Sequence, residues 1–244
     1  MKEPGIMAGK VADATFGAMG RGQDAIARFG ELMRGSRDVA LDEVALTVSA
    51  ALQGGLDVVE WLAALDEVAA SCPTPTFDGV RRHLFGEFGF TGNVDHYDDW
   101  RNSCLDRVIA TRRGIPITLS VVMIEVGRRL GVEVHGVGMP GHFLVRSDRH
   151  DEFVDPFHGG RVLDRAGCRE LCAAISGDQV AWRDDFLATT PSRAIIVRML
   201  NNLVAGFARA GRAMPYAIVL ELRSLVPELA AHGDETRRAT AVFN

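Results

Sequence analysis

Two short runs hold the residues with the most chemical reach in this chain. In PGHFLV, His142 follows a Pro-Gly turn and opens an extended segment; in FVDPF, Asp155 closes the next one. Antiparallel pairing of the two segments brings the side chains within reach of each other. An aspartate on one ring nitrogen of a histidine fixes the tautomer and steadies the imidazolium, the orienting half of a nucleophilic triad. The same bond also serves simply to pin two strands. What the pair lacks is a nucleophile. A nucleophile would be expected at the start of the preceding helix, where the helix dipole and unpaired N–H groups favour an anion. That helix opens GIPITLS, and Pro116 takes its first position. Proline suits a helix start because no N–H is needed there, but it offers no nucleophile.

Other residues are weaker substitutes. Cys104, in RNSCLDRV, is the best remaining thiol, lying near the start of the helix before the central one. Free cysteine more often packs as a small buried hydrophobe. Thr118 and Ser120 carry hydroxyls in the first turns of the central helix, where such residues mostly cap or pack. Asn102 and Ser103 either line the cleft, with Asn102 donating to a bound carbonyl, or cap the helix that follows, and capping weighs more. Gly138, Pro140 and Gly141 shape the turn that presents His142. His135, His142, His150, His158 and Asp155 cluster in sequence and are donor types that suit zinc. No HExxH or paired-cysteine spacing accompanies them, and Cys168 and Cys172 lack partners, so neither a metal nor a cofactor is expected. Asp95, His96, Asp98 and Asp99 read as a solvated loop that Tyr97 and Trp100 anchor.

The elements that must position these groups follow from the apolar pattern. Ile117 to Ile124 is apolar on nearly every face, the mark of a buried helix, and Gly131 ends it. Extended segments follow over 132–137, 142–146 and 152–154, separated by Gly, Pro and polar clusters. Before this stretch, helical periodicity runs over 25–33, 41–52, 56–70 and 77–88. After it come a turn at His158-Gly159-Gly160, a helix over 164–175, and a helical pair over 192–210 and 215–225 that resembles a single tetratricopeptide-type unit. The parts are an arm over 1–22, a helical part over 23–90, the core over 91–180 and the helical pair over 181–244, with the last dozen residues frayed.

Composition sets the outer bounds. The chain has 244 residues, 47% hydrophobic and 24% charged, with a net charge of −5 and no long basic block. That is material for a substantial core, and it argues against a broad electrostatic footprint on nucleic acid. No run is long and apolar enough for a bilayer span, and the first residues lack the apolar stretch of a signal peptide. Four cysteines in a chain this long do not make a disulfide scaffold, so they read as reduced thiols of a cytoplasmic protein.

The segments FGEFGFTGN, RNSCLDRVIATRRGIPITLS, EVGRRLGVEVHGVGMPGHFLVR and FVDPFHGG, in that order, resemble the SirB-type proteins of the transglutaminase-like superfamily. The resemblance is specific from about residue 85 to 160 and weaker on either side. It implies an α+β fold: a transglutaminase- and papain-like core, with a buried central helix on an antiparallel sheet, flanked by helical N- and C-terminal parts. It also implies that His142 and Asp155 match the superfamily's histidine and aspartate. Active relatives open the helix with Gly-x-Cys, and here Gly114-Ile115-Pro116 takes that place. The expected function is therefore a non-catalytic or altered member whose cleft, lined by Asn102, Ser103, Pro116, Thr118 and Gly141, binds a peptide or protein partner. The alternative is a cysteine-type hydrolase or acyltransferase in which Cys104 acts with His142 and Asp155. The oligomeric state is left open.

Overall fold

A computed structural model describes residues 5–35, 39–148, 151–177 and 180–229, with side chains from residue 20 onward. His150 and the last dozen residues lie outside the described residues. Helix α1 runs Gly5–Arg34, so the helix expected from Ala25 is the end of a longer one and the expected arm is helical where described. Its buried residues Ile26, Phe29 and Met33 lie against α2, Leu41–Gln53. The apolar spacing of Leu41, Val44, Ala45 and Val48 gives α2 its core face. Thr47 and Ser49 fit there because their hydroxyls donate to the carbonyls of Glu43 and Ala45. Helix α3, Val58–Ala70, starts where Asp57 accepts from the N–H groups of Val59 and Glu60. Helix α4, Phe77–Arg81, does not continue as α-helix to Phe88: a π turn over Arg82–Glu87 closes with Phe88 N–H donating to His83 O.

The central helix α6, Pro116–Arg129, has Pro116 at its first position and eleven of its fourteen residues buried. Each fully buried Leu, Val or Met of this kind is worth roughly 1.5–3 kcal/mol of apolar transfer. Gly131, in the left-handed region at φ 67°, ends the helix, and Val132 N–H returns to Gly127 O. The charges on its last turns are paired: Arg128 and Arg129 both reach buried Asp42 and Glu125.

Before α6, a short strand β1, Thr91–Gly92, pairs in parallel with β2, Arg113–Gly114, and α5, Leu105–Thr111, lies between them in sequence. After α6 comes an antiparallel sheet in the order β3-β4-β5-β6: His135–Val137, Leu144–Arg146, Phe153–Asp155 and Arg161–Leu163. The first three match the expected extended segments. Strand β6 was not expected, since only Leu163 of its three residues is buried and no alternation shows in the sequence. Side chains alternate across the sheet. Val145 and Val154 join the large core around α6, while Val137, Leu144, Phe153 and Leu163 form a smaller one with Cys168 and Cys172 of α7, Arg165–Ser176.

Helices α8, Ser192–Arg209, and α9, Ala213–Ser224, form the expected hairpin across Gly211. They do not stand apart from the N-terminal part. Leu225 lies over Gly30 of α1, and one apolar cluster runs from Ile26 to Val226. No described helix is long and apolar enough to cross a membrane.

Candidate functional site

Asp155 is the last residue of β5 and by alternation shares a face with Phe153. Both carboxylate oxygens are engaged. Oδ1 lies 2.9 Å from Nε2 of His142 and accepts from the N–H groups of Phe157 and His158 at 3.1 and 3.3 Å. Oδ2 lies 2.6 Å from Nδ1 of His158. Burial raises the pKa of Asp155, but the hydrogen bonds and charge of His142 and then His158 outweigh it and hold the group below the ordinary aspartate value.

His142 sits just before β4, behind a turn whose Gly141 has φ 70°, where a Cβ would meet Ile175 Cγ2 at 2.6 Å. The imidazole is buried, and its Nδ1 makes no hydrogen bond among the described residues. Phe157 meets it edge-on at 6.2 Å between ring centroids, and His158 stacks on it at 5.9 Å. The turn is pinned from α8: Arg198 donates to the carbonyls of Met139 and His142 at 2.7 and 2.6 Å and lies over the ring of Phe143. Burial lowers the pKa of Arg198.

The loop from Thr91 to Ser103 binds the turn after β5 to the head of α6. Phe157 O accepts from Gly92 N–H at 2.8 Å, and Asn93 N–H donates to Gly114 O at 3.0 Å. A Cβ on Gly92 would strike the Phe157 ring at 2.5 Å, so only glycine allows this approach. Asn102 is buried and fully used: its amide donates to the carbonyls of His96 and Tyr97, and its Oδ1 accepts from Asn93. It caps no helix. The first N–H of α5, on Leu105, goes instead to Ser49 Oγ of α2, and Cys104 is the residue before that helix. Ser103 lines a hollow of ≈ 190 Å³ together with Tyr97, Trp100, Ile115 and Asn202. Tyr97 and Trp100 anchor the loop as expected, against Phe157 and Phe207.

The candidate nucleophiles fare unequally. Cys104 has no exposed surface, and burial pushes its thiol pKa up, with Asp106 adding to the rise. An activated thiol is held as thiolate near a positive partner, and this one is the reverse. Its neighbours are Ser49, Trp100 and Asp106, so the relocated-thiol reading has no geometric support. Thr118 donates to Asn102 O at 2.7 Å and Ser120 to Pro116 O at 2.8 Å, so both hydroxyls are spent on backbone. Pro116 is buried at the head of α6.

Sequence reasoning singled out His142 and Asp155 and undervalued three residues around them. His158 read as turn, although its sharing of Asp155 was open to suspicion from the DPFHGG run. Phe157 supplies the ring between the loop and His142. Arg198 had no signal at all, because its partners lie 59 and 56 residues earlier in the chain.

The profile of the transglutaminase-like superfamily matches residues 40–201. A UPF0162 protein of Xylella fastidiosa is 45% identical over 140 residues, covering 54% of this chain and 49% of that protein. A UPF0162 protein of Pseudomonas aeruginosa is 30% identical over 152 residues, covering 62% and 55%. F-box only protein 21 of Mus musculus is 27% identical over 170 residues, covering 66% of this chain and 26% of that protein. The matched region thus spans about half the length of the UPF0162 relatives. No solved structure matches. With the profile covering well over half of its residues, around the buried helix and the sheet that carries the His–Asp pair, this chain belongs to the transglutaminase-like superfamily.

Proposed function

We propose that this protein has given up thiol acyl chemistry and uses the region around His142 to bind a peptide or protein partner. The observation that carries the reading is the combination of Pro116 at the first position of α6 with a His142–Asp155 pair still closed at 2.9 Å. A proline cannot form an acyl intermediate. The accessible thiol, on Cys72, lies outside this region, and Cys104 is sealed in the core. A binding role draws support from the rings beside the pair: Tyr97 is exposed and Phe157 half-buried. Such rings give large contact area for little lost side-chain freedom.

Two assays on the purified protein test this. Amine incorporation into glutaminyl peptides and peptide-bond hydrolysis should both stay at the level of the His142→Ala variant. A library of short peptides, followed by the side-chain resonances of His142, Tyr97 and Phe157, should contain ligands that shift all three. Turnover that His142→Ala abolishes overturns the proposal, and so does a library that leaves those resonances unmoved.

A further inference from the structure

We infer that His142, Asp155 and His158 form a binding site for a divalent transition-metal ion of the zinc type. The orienting role of an aspartate needs one imidazole, and here a second one takes the other carboxylate oxygen. The result is two imidazoles and a carboxylate with all three donor atoms within 4.8 Å of one another. Two imidazoles and a carboxylate, with a fourth position left to solvent or ligand, make the open type of zinc site.

The distances fit. Zinc–nitrogen and zinc–oxygen bonds of about 2.0–2.2 Å put tetrahedral ligand atoms roughly 3.3–3.5 Å apart. The donors stand 2.9 Å apart for His142 and Asp155 and 2.6 Å apart for His158 and Asp155. The two imidazoles lie against different oxygens of the carboxylate, Oδ1 and Oδ2, so an ion seated between them takes the place of the two hydrogen bonds and is held by the carboxylate through one or both oxygens. His158 is the one with room to move, since its side chain is 47% exposed. It also gives the ion a path from solvent.

The backbone holds the cluster in shape without a metal. Asp155 Oδ1 is fixed by the N–H groups of Phe157 and His158, and Gly160 N–H returns to Asp155 O. Gly159 and Gly160 both have positive φ, at 66° and 74°, and a Cβ on Gly160 would strike Phe85 at 2.5 Å. The turn therefore folds His158 back over the carboxylate that closes β5. Arg198 fixes the other side by holding His142 O. Asp155 and the backbone of this turn are therefore preorganised, and only the His158 side chain has to settle on binding. The outer ring nitrogens, Nδ1 of His142 and Nε2 of His158, meet no described protein partner, so solvent must complete the outer shell.

The inference goes beyond the peptide-binding reading and does not depend on it. The experiment uses the full chain, stripped with a chelator and titrated with Zn²⁺ by calorimetry and with Co²⁺ by absorption. One equivalent should bind, with a cobalt spectrum of nitrogen and oxygen ligation and no thiolate charge-transfer band. His158→Gln and Asp155→Asn should each weaken binding at least tenfold. His158 is a surface residue, so its variant keeps the fold even if Asp155→Asn does not, as circular dichroism will show. His135→Gln removes a donor from the other grouping of possible ligands, Glu133, His135 and Asp148, and should change nothing. Absence of binding, binding unchanged in His158→Gln, a thiolate band, or loss in His135→Gln would each overturn the site. Any of those results leaves the peptide titration to be judged by itself.

Discussion

Asp155 holds His142 by Nε2 at 2.9 Å, which leaves Nδ1 as the ring nitrogen without a partner among the described residues. The bond ties the end of β5 to the turn before β4. Because the folded pKa of Asp155 is depressed, its contribution to stability is present above the ordinary aspartate pKa and is lost as pH falls through the lower, folded value. Asp155→Asn should cost roughly 1–3 kcal/mol in urea unfolding at pH 7, since it weakens bonds to two imidazoles. The gap between the two proteins should start to narrow near about pH 4 and close only below the depressed folded pKa of Asp155. A gap that stays constant with pH would mean that the carboxylate's charge contributes nothing to the fold.

Pro116→Cys tests whether the head of α6 addresses His142. A thiol there would meet the helix dipole and unpaired N–H groups, which lower its pKa. Because position 116 is buried, the readout is the thiolate absorbance at about 240 nm: it should titrate below the ordinary cysteine range, and adding His142→Ala should move that titration up. The loss of proline's rigidity should cost about 0.4–1 kcal/mol, a decrease small enough to leave the protein folded. A titration that His142→Ala leaves unmoved would place Pro116 away from the pair.

The native thiols should separate cleanly by burial. Cys72 is half-buried, whereas Cys104, Cys168 and Cys172 are buried, and burial pushes Cys168 up to about 12. Native protein under a neutral maleimide should label at Cys72 alone, with the other three appearing only on unfolding. Fast labelling of Cys104, read by peptide mass, would reopen the thiol-enzyme alternative.

Buried Asp42 and Glu125 share two arginines, Arg129 largely buried and Arg128 half exposed, and their titrations run in opposite directions. Burial raises Asp42, but its bonds to Arg129 and to Glu43 N–H outweigh that and hold it low; burial and the charge of Asp42 push Glu125 up. The contribution of Asp42 is therefore lost as pH falls through its folded pKa, while that of Glu125 is present at low pH and lost as pH rises through its own. At pH 7, Asp42→Asn should cost about 3 kcal/mol by breaking a buried pair. Glu125→Gln should cost about 1 kcal/mol, because the amide can still accept from Leu41 N–H and relieves repulsion. The reverse order in denaturant melts would mean that Glu125 carries the charge.

What the sequence disclosed was what repeats or stops locally. Helix α6 announced itself through the stretch from Ile117 to Ile124, apolar on nearly every face, set between Pro116 and Gly131. The His142–Asp155 pairing followed from one residue opening a strand and the other closing the next. The missed features are held by distant parts of the chain. The cap of α5 comes from Ser49, 56 residues earlier, so Asn102 and Ser103 looked like the natural caps and are not. The π turn over 82–87 forms around a buried His83 that bonds Glu87 and Val68 O, a tertiary condition without a periodic signature. Cys104 precedes a helix whether that end faces a cleft or the core, and only the packing of Ser49 and Trp100 decides between them.

Arg198 is the strongest case of a residue acting on the site from a distant element. Its guanidinium bonds the carbonyls of Met139 and His142 across the turn that carries the imidazole. A charged hydrogen bond of this kind is worth about 1.5–3 kcal/mol, and an unpaired carbonyl left behind adds a desolvation cost. Arg198→Met should therefore destabilise the protein by roughly 3 kcal/mol. Arg198→Lys keeps the charge and can reach one carbonyl, so it should recover about half of that loss. Stability alone does not distinguish a core contact from control of the turn. The imidazole resonances of His142 do: they should shift in Arg198→Met and return most of the way in Arg198→Lys. Unchanged resonances with the same loss of stability would reduce Arg198 to a packing residue beneath Phe143.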